Sequence, residues 1–197
     1  MAGLQTNTTL AYLNISNNDL NEESCNYMFQ YLQHCNLVEL DLSYNPLGNT
    51  GMEYFSRICD KSTFTVRKLN LAGCEIKSIG VLKLFQSLVL NRHLEKLILD
   101  ENLLSGNGFN EIEHVLQAKT PLSYLSLAKC GINAKGADYI GNGLERNTSL
   151  KTLILRDNRI ADFGGESIFK GLNFEKLDLK RCNLTDKCVL SLTNMIK

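Results

Sequence analysis

Cysteine and histidine are the residues of this sequence that could bind a metal or act as nucleophiles. The chain of 197 residues has seven cysteines and three histidines, His34, His93 and His114. No Cys-x-x-Cys pair occurs, and the histidines lie at separate places along the chain, whereas a metal site needs several such ligands close together. Glycine-rich phosphate loops and nucleophile motifs are also missing from the sequence. The sequence therefore predicts no metal, no cofactor, no catalytic residues and no enzymatic activity.

A leucine-containing pattern repeats along the chain and must position any binding residues. The pattern L-x-x-L-x-L-x-x-N/C-x-L occurs seven times, beginning at Leu10, Leu37, Val66, Leu94, Leu122, Leu150 and Phe174. The starts are 24 to 29 residues apart, a period typical of solenoid repeats. The L-x-L core alternates with the period of a strand, and apolar residues at helical spacing follow it. Each unit is therefore predicted to be a strand, a turn, a helix and a return loop.

Two further positions of the pattern have structural explanations. The N/C position is occupied by Asn18, Asn45, Cys74, Asn102, Cys130, Asn158 and Cys182. An Asn amide there can both donate to and accept from neighbouring turns, and Cys is a small, weak donor for the same position. A small residue stands near each predicted helix start, as at Gly51, Gly80, Gly108, Gly136 and Gly164. We interpret these cysteines and glycines as packing residues.

The repeat also predicts the overall architecture. Parallel strands stack about 4.8 Å apart, whereas packed helices need about 8–10 Å, so the stack should bend with its strands inside. The predicted fold is an α/β solenoid: a curved, right-handed β-α horseshoe with a parallel inner sheet of about seven strands and outer helices, forming a single domain over residues 1–197. Across residues 10–197, the sequence resembles the ribonuclease-inhibitor-like leucine-rich repeats. That subfamily includes ribonuclease inhibitor, the Ran GTPase-activating protein, tropomodulin and the repeat regions of NOD-like receptors.

The side chains between the inward leucines are predicted to face the inner curve and to contact a protein partner. Tyrosine and arginine are frequent interface anchors. Ile98 and Ile154 are expected to expose apolar surface, and Arg156, Lys180 and Arg181 are expected to form a basic end. A set of isolated surface residues with no binding role is the alternative interpretation. The predicted partner-binding residues are Tyr12, Asp41, Tyr44, Lys96, Ile98, Asp100, Tyr124, Ile154, Arg156, Lys180 and Arg181.

Charge and cysteine content narrow the classes of partner. The chain has 21 basic and 21 acidic residues, and neutrality argues against binding nucleic acid or membranes through global charge. Residues 1–65 contain seven acidic and two basic residues, a net charge of −5, so the remainder carries +5. An odd number of cysteines, no signal peptide and no apolar run of about 18 residues predict an intracellular, cytoplasmic location.

Two other functions remain open as alternatives to a binding module. The resemblance allows a GTPase activator of the Ran type, although that relative uses a long acidic tail and this chain ends at Met195, Ile196 and Lys197. It also allows an inhibitor of the ribonuclease-inhibitor type, although a basic enzyme would demand an acidic inner surface and the later repeats lean basic. Residues 4–10 resemble the closing loop at 144–150. The chain is therefore expected to be part of a longer protein, with self-association through uncapped ends as an alternative.

Overall fold

The computed structural model of this protein describes residues 7–32, 35–59, 63–104, 106–171 and 173–195. Within those ranges, seven strands alternate with seven α-helices. The strands are β1 (Tyr12–Asn14), β2 (Glu39–Asp41), β3 (Lys68–Asn70), β4 (Lys96–Ile98), β5 (Tyr124–Ser126), β6 (Thr152–Ile154) and β7 (Lys176–Asp178). The helices are α1 (Glu22–Leu32), α2 (Gly48–Cys59), α3 (Ser78–Leu88), α4 (Glu111–Gln117), α5 (Ala134–Leu144), α6 (Ala161–Lys170) and α7 (Asp186–Met195).

The strands form one parallel sheet in sequence order, and each strand pairs with the next in the same register. The middle residue of every strand is a leucine, and consecutive middle leucines are partners. Leu97 in the centre of the row is fully buried, as is Phe85 on α3, and both belong to one apolar core. Consecutive helices contact one another. This arrangement confirms the predicted solenoid.

A buried asparagine joins its own repeat to the preceding one at the end of the sheet. The Asn102 amide nitrogen donates to the carbonyl oxygens of Leu71 at 2.8 Å and Leu99 at 2.9 Å. Its amide oxygen accepts from the backbone nitrogens of Cys74 at 3.1 Å and Ile76 at 2.9 Å. Asn45 and Asn158 make equivalent bonds in their own repeats. The predicted asparagine ladder is therefore present.

The cysteines at the same position also bond to the backbone. The Cys130 thiol lies 3.2 Å from the Leu99 carbonyl oxygen and 3.4 Å from that of Ala128, and its backbone nitrogen donates to the Asn158 side chain. Cys74 and Cys182 repeat this geometry. All seven cysteines are buried. The structural role predicted for the ladder cysteines is confirmed.

The fourth repeat departs from the predicted full helix. A 3-10 turn at Asn107–Asn110 precedes α4, which has only 7 residues. Two glycines, Gly106 and Gly108, stand at the start of this irregular segment. Gly106 has a φ of 114°, which ordinary side chains rarely adopt, and a Cβ on Gly108 would collide with the Ser78 carbonyl oxygen. Gly108 therefore lies close against the neighbouring repeat, as predicted, but it does so from a 3-10 turn and not from the start of an α-helix.

Replacing Asn102 with alanine should lower the free energy of unfolding by about 2–5 kcal/mol. The substitution removes the amide that donates two hydrogen bonds. It also leaves the buried backbone N–H groups of Cys74 and Ile76 without an acceptor, and each such group costs about 1–3 kcal/mol. Asn18→Ala is the matched control, because Asn18 occupies the same ladder position but is exposed and bonds only within its own turn. Urea denaturation followed by circular dichroism should show a much smaller loss for the control. Equal losses in the two variants would contradict the ladder's role.

Candidate functional site

The concave face is the side of the sheet opposite the helices, and its side chains stand in four rows. The first row is Tyr12, Glu39, Lys68, Lys96, Tyr124, Thr152 and Lys176. The second row is Asn14, Asp41, Asn70, Ile98, Ser126, Ile154 and Asp178. The third row, just past the strands, is Ser16, Ser43, Ala72, Asp100, Ala128, Arg156 and Lys180. The fourth row is Asn17, Tyr44, Gly73, Glu101, Lys129, Asp157 and Arg181.

Hydrogen bonds beyond the strands keep the third and fourth rows in register. Each fourth-row N–H, from Asn17 to Asp157, donates to the third-row carbonyl oxygen of the next repeat at 2.7–3.0 Å. Every fourth-row residue has a left-handed backbone, with φ between 54° and 60°. For any residue other than glycine, this conformation is unfavourable in free energy, yet it recurs in all seven repeats. The turn that brings the ladder residue inward therefore also fixes where the fourth-row side chains emerge.

In the first row, neighbouring side chains contact one another across the strands. The Lys96 ammonium lies 4.4 Å from the centre of the Tyr124 ring on the next strand. The Lys68 ammonium forms an ion pair with Glu39, and the hydrogen bond that Lys68 donates to that carboxylate, together with the carboxylate's charge, raises the pKa of Lys68. Tyr12 is 66% exposed. Lys96 and Tyr124 thus present a combined cation and ring rather than two independent groups.

The two aspartates predicted to contact a partner also bind within the chain. The Asp41 carboxylate accepts from the Ser43 hydroxyl at 2.6 Å and from the Asn70 amide at 3.0 Å. The Asp100 carboxylate accepts from the Ser126 hydroxyl at 2.6 Å. Both groups therefore tie one strand end to its own turn or to the next repeat. Their role in partner contact stays a prediction.

The prediction that Ile98 and Ile154 both expose apolar surface is wrong for Ile154. Ile98 is half-buried, but Ile154 is only 5% exposed. In the sheet, Ile154 lies between Ser126 and Asp178 on the same face. A side chain branched close to the backbone does not rise above neighbours that stand about 5 Å away on either side. Ile154 therefore packs within the face instead of projecting from it.

The fourth row places one aromatic ring and one arginine at the turn. Tyr44 is 50% exposed, and a Cβ on Gly73 would lie 2.6 Å from the Cδ1 atom of its ring. The ring therefore covers the backbone of the next repeat, which only glycine permits. At the other end of the row, the Arg181 guanidinium lies 3.3 Å from the Asp157 carboxylate, and its side chain is 73% exposed.

A groove of about 310 Å³ crosses the first four strands of the concave face. It brings together four of the predicted binding residues, Tyr12, Asp41, Lys96 and Ile98. The predicted set omitted other groove residues, such as Lys68 and Asn70. Their membership of the same two rows was the signal that could have identified them. The remaining predicted residues lie along the same face but outside this groove.

The opposite end of the concave face is basic. Arg156 and Lys180 are exposed neighbours in the third row, and Lys176 is exposed in the first row of the same last strand. The basic end predicted from Arg156, Lys180 and Arg181 is therefore present, and Lys176 belongs to it although the predicted set omitted it.

The described residues bear on metal binding, thiol reactivity and membrane insertion. Within them, no three His, Cys, Asp or Glu side chains are grouped closely enough to hold a metal ion, and His34 lies outside the described ranges. Burial raises the pKa of the Cys25, Cys74 and Cys130 thiols to about 12. A nucleophilic cysteine needs the opposite shift. In the described part of the chain, no helix is both long and apolar enough to cross a membrane.

Comparison with known proteins identifies the repeat. A family profile described as "Leucine Rich repeat" matches residues 6–25, 33–56, 64–85, 118–141 and 146–169. These segments together cover more than half of the chain. They include the strands and ladder positions of five repeats.

Several curated proteins are similar over almost the whole chain. The mouse (Mus musculus) "NACHT, LRR and PYD domains-containing protein 14" is 29% identical over 194 residues, which is 95% of this chain and 20% of that protein. The human (Homo sapiens) "NACHT, LRR and PYD domains-containing protein 3" is 26% identical over 229 residues, covering 98% of this chain and 22% of that protein. The chain thus spans about a fifth of the length of these relatives.

One solved structure shares the fold at low sequence identity. The chain of "Leiomodin-1 Actin-Binding Site 2 (ABS2)" superimposes with a TM-score of 0.52 and 16% identity, covering 99% of this chain and 84% of that one. At this identity the likeness concerns the fold alone.

Raising the pH above about 9 should destabilise the fold. In the unfolded chain the thiols ionise near 9.0, whereas folded Cys25, Cys74 and Cys130 keep their protons to about 12. The thiols' contribution to stability is therefore intact below pH 9 and is lost as the pH rises from 9 towards 12. Urea midpoints at about pH 8 and pH 10 measure the loss. A variant with all three cysteines changed to alanine should lose less over this interval, and an equal loss would contradict this assignment.

Proposed function

This chain belongs to the leucine-rich-repeat family, and we propose that it is a non-catalytic module that binds a protein partner on its concave face. Its repeats are of the ribonuclease-inhibitor-like type found in NOD-like receptors. A repeat scaffold by itself does not specify function, which resides in the side chains presented on it. The concave rows of this chain carry side chains that differ in charge and size from repeat to repeat.

The observation that carries the proposal is a groove bordered by exposed aromatic side chains. The groove of about 310 Å³ is open and lined by side chains of both charge signs. Tyr12 on its wall and Tyr44 just beyond it are 66% and 50% exposed. Tyrosines that are solvent-exposed in the free protein and buried in a complex are typical interface anchors, because they bury a large area with little loss of conformational entropy.

We propose different roles for the predicted binding residues. Tyr12, Tyr44 and Ile98 supply apolar contact, and the Lys96–Tyr124 pair presents one cation backed by a ring. Arg156, Lys180 and Arg181 supply positive charge. Asp41 and Asp100 support this surface from within, because their carboxylates already accept hydrogen bonds from neighbouring strands and turns. Ile154 contributes to the rigidity of the sheet rather than to contact area.

The relatives suggest the setting in which the module works. Their names describe proteins that combine leucine-rich repeats with NACHT and PYD domains, and this chain spans about a fifth of their length. We propose that it acts in the cytoplasm as the repeat segment of a protein of this kind, binding neither nucleic acid nor membrane. Its organisation as a single domain and its self-association through the ends stay predictions.

Replacing both exposed concave tyrosines should abolish partner capture without unfolding the protein. The variant Tyr12→Ala/Tyr44→Ala removes two side chains that are at least half exposed in the free chain, so the melting temperature should change little. Capture from a native lysate onto the immobilised chain, quantified by mass spectrometry, should fall about tenfold or more for the specific partner.

The control carries the same kind of change on the helices. Tyr27 on α1 and Phe163 on α6 are each 60% exposed, so Tyr27→Ala/Phe163→Ala removes a comparable aromatic area away from the concave face. This variant should capture the partner as well as the unchanged chain does. A partner retained by the concave variant, or lost only by the helical one, would move the binding surface off the concave face.

A further inference from the structure

The cations of the concave face fall into two groups. Four of the seven have a partner within the chain: Lys68 with Glu39, Lys129 with Glu101, Arg181 with Asp157, and Lys96 with the Tyr124 ring. The other three are Arg156, Lys176 and Lys180. Among the described residues, none of the ion pairs within 4.0 Å includes any of these three. We call these three residues the cation cluster.

The members of the cation cluster are neighbours at one end of the sheet. The Asp157 nitrogen donates to the Lys180 carbonyl oxygen at 2.8 Å, which places Arg156 and Lys180 side by side on adjacent chain segments. Lys176 begins the last strand and Lys180 lies just past its end; the four residues between these positions would span roughly 13 Å in an extended chain. All three side chains are exposed. Like charges placed opposite each other on neighbouring strands repel.

The two aspartates nearest the cation cluster have other partners within the chain. The Asp157 carboxylate pairs with Arg181 at 3.3 Å. Asp178 stands between Lys176 and Lys180 along the strand, but its carboxylate accepts a hydrogen bond from the Lys180 backbone nitrogen at 3.0 Å. Elsewhere on the concave face the sequence supplies an acid or a ring for each cation. Here Arg156, Lys176 and Lys180 have no ion pair among the described residues, so an external anion could pair with them.

We propose that the cation cluster binds an acidic segment of the protein partner, in an extended conformation along the last two strands. This inference rests on the proposed function, since it names the chemistry of part of the same partner. One carboxylate lies against Arg156 and Lys180, where a guanidinium can form a bidentate pair. A second carboxylate, four residues away, reaches Lys176. The residue halfway between them is not acidic, because it faces Asp178.

A protein segment fits this surface better than a nucleic acid does. Strands of nucleic acid need a continuous basic groove and rings on which bases can stack. Asp157 and Asp178 interrupt the positive charge, and the Tyr124 ring is already covered by the Lys96 ammonium. A protein segment with two carboxylates, spaced so that neither faces Asp178, needs neither a continuous basic groove nor a free ring.

The test uses the full chain and defined probes in fluorescence anisotropy. Three probes are eight-residue Gly/Ser peptides: one has glutamates at positions 2 and 6, one has glutamates at positions 2 and 3, and one has lysines at positions 2 and 6. The fourth probe is an eight-nucleotide oligothymidine. The peptide with glutamates at 2 and 6 should bind most tightly, and its affinity should fall as the salt concentration rises. Equal binding of both glutamate peptides would overturn the extended, spaced arrangement, and tighter binding of the oligonucleotide would overturn a protein ligand.

Charge reversal with a matched control locates the site. Arg156→Glu/Lys176→Glu/Lys180→Glu should weaken binding of the spaced peptide at least tenfold. The control, Lys83→Glu/Lys119→Glu/Arg146→Glu, makes the same change in net charge at exposed residues away from the concave face, and it should bind like the unchanged chain. Equal losses in both would mean non-specific attraction and would overturn the proposal. If charge reversal impairs folding, the triple glutamine variant of the cation cluster replaces it, with the same expectation.

Partner capture separates this inference from the function on which it rests. The cation-cluster variant should lose captured partner, as the concave tyrosine variant does. If the tyrosine variant loses the partner while the cation-cluster variant keeps it and the peptide does not bind, the acidic-segment proposal fails and the concave binding function stands. If neither variant loses the partner, the concave binding function itself fails.

Discussion

The structure depends on satisfying the backbone groups that are buried where each strand ends. A strand of three residues cannot hydrogen-bond its own exit turn, and the ladder positions at that turn are buried, as at Asn45, Asn102 and Asn158. Asn102 solves this by donating to two carbonyl groups and accepting from two N–H groups of the preceding repeat. Three of these four bonds cross to the preceding repeat, so each unit depends on its neighbour and stability is shared along the stack. Cys130 fits the same position because its thiol still reaches two carbonyl oxygens.

The same registration organises the concave surface. Because every turn repeats the left-handed conformation of its neighbour, equivalent side chains stand close together in rows and interact across the sheet. Lys68 with Glu39 and Lys96 with Tyr124 are products of this spacing. Which charges remain available to a partner is therefore decided by the adjacent repeats and not by the residue alone. This is why the basic end differs from the groove although both are built from the same four rows.

The fourth repeat shows how separable the two sides of the solenoid are. Its helix is replaced in part by a 3-10 turn at Asn107–Asn110, yet β4 pairs with β5 in the same register as every other strand. The ladder bonds of Asn102 lie between the strand and this irregular segment and are complete. Changes in helix length can therefore accumulate on the outer side while the partner-facing rows keep their geometry. The surface can vary in residue type without any change in the scaffold.

The sequence by itself determined the seven parallel strands, the inward leucines and the ladder of Asn45, Cys74 and their equivalents. Each of these follows from a local pattern that recurs about every 28 residues, and repetition makes a weak local signal decisive. The burial of Ile154, the internal bonds of Asp41 and the absence of an ion pair at Lys180 among the described residues were decided only by the tertiary structure. They depend on what stands beside each residue one repeat away, and no pattern within a single repeat contains that information.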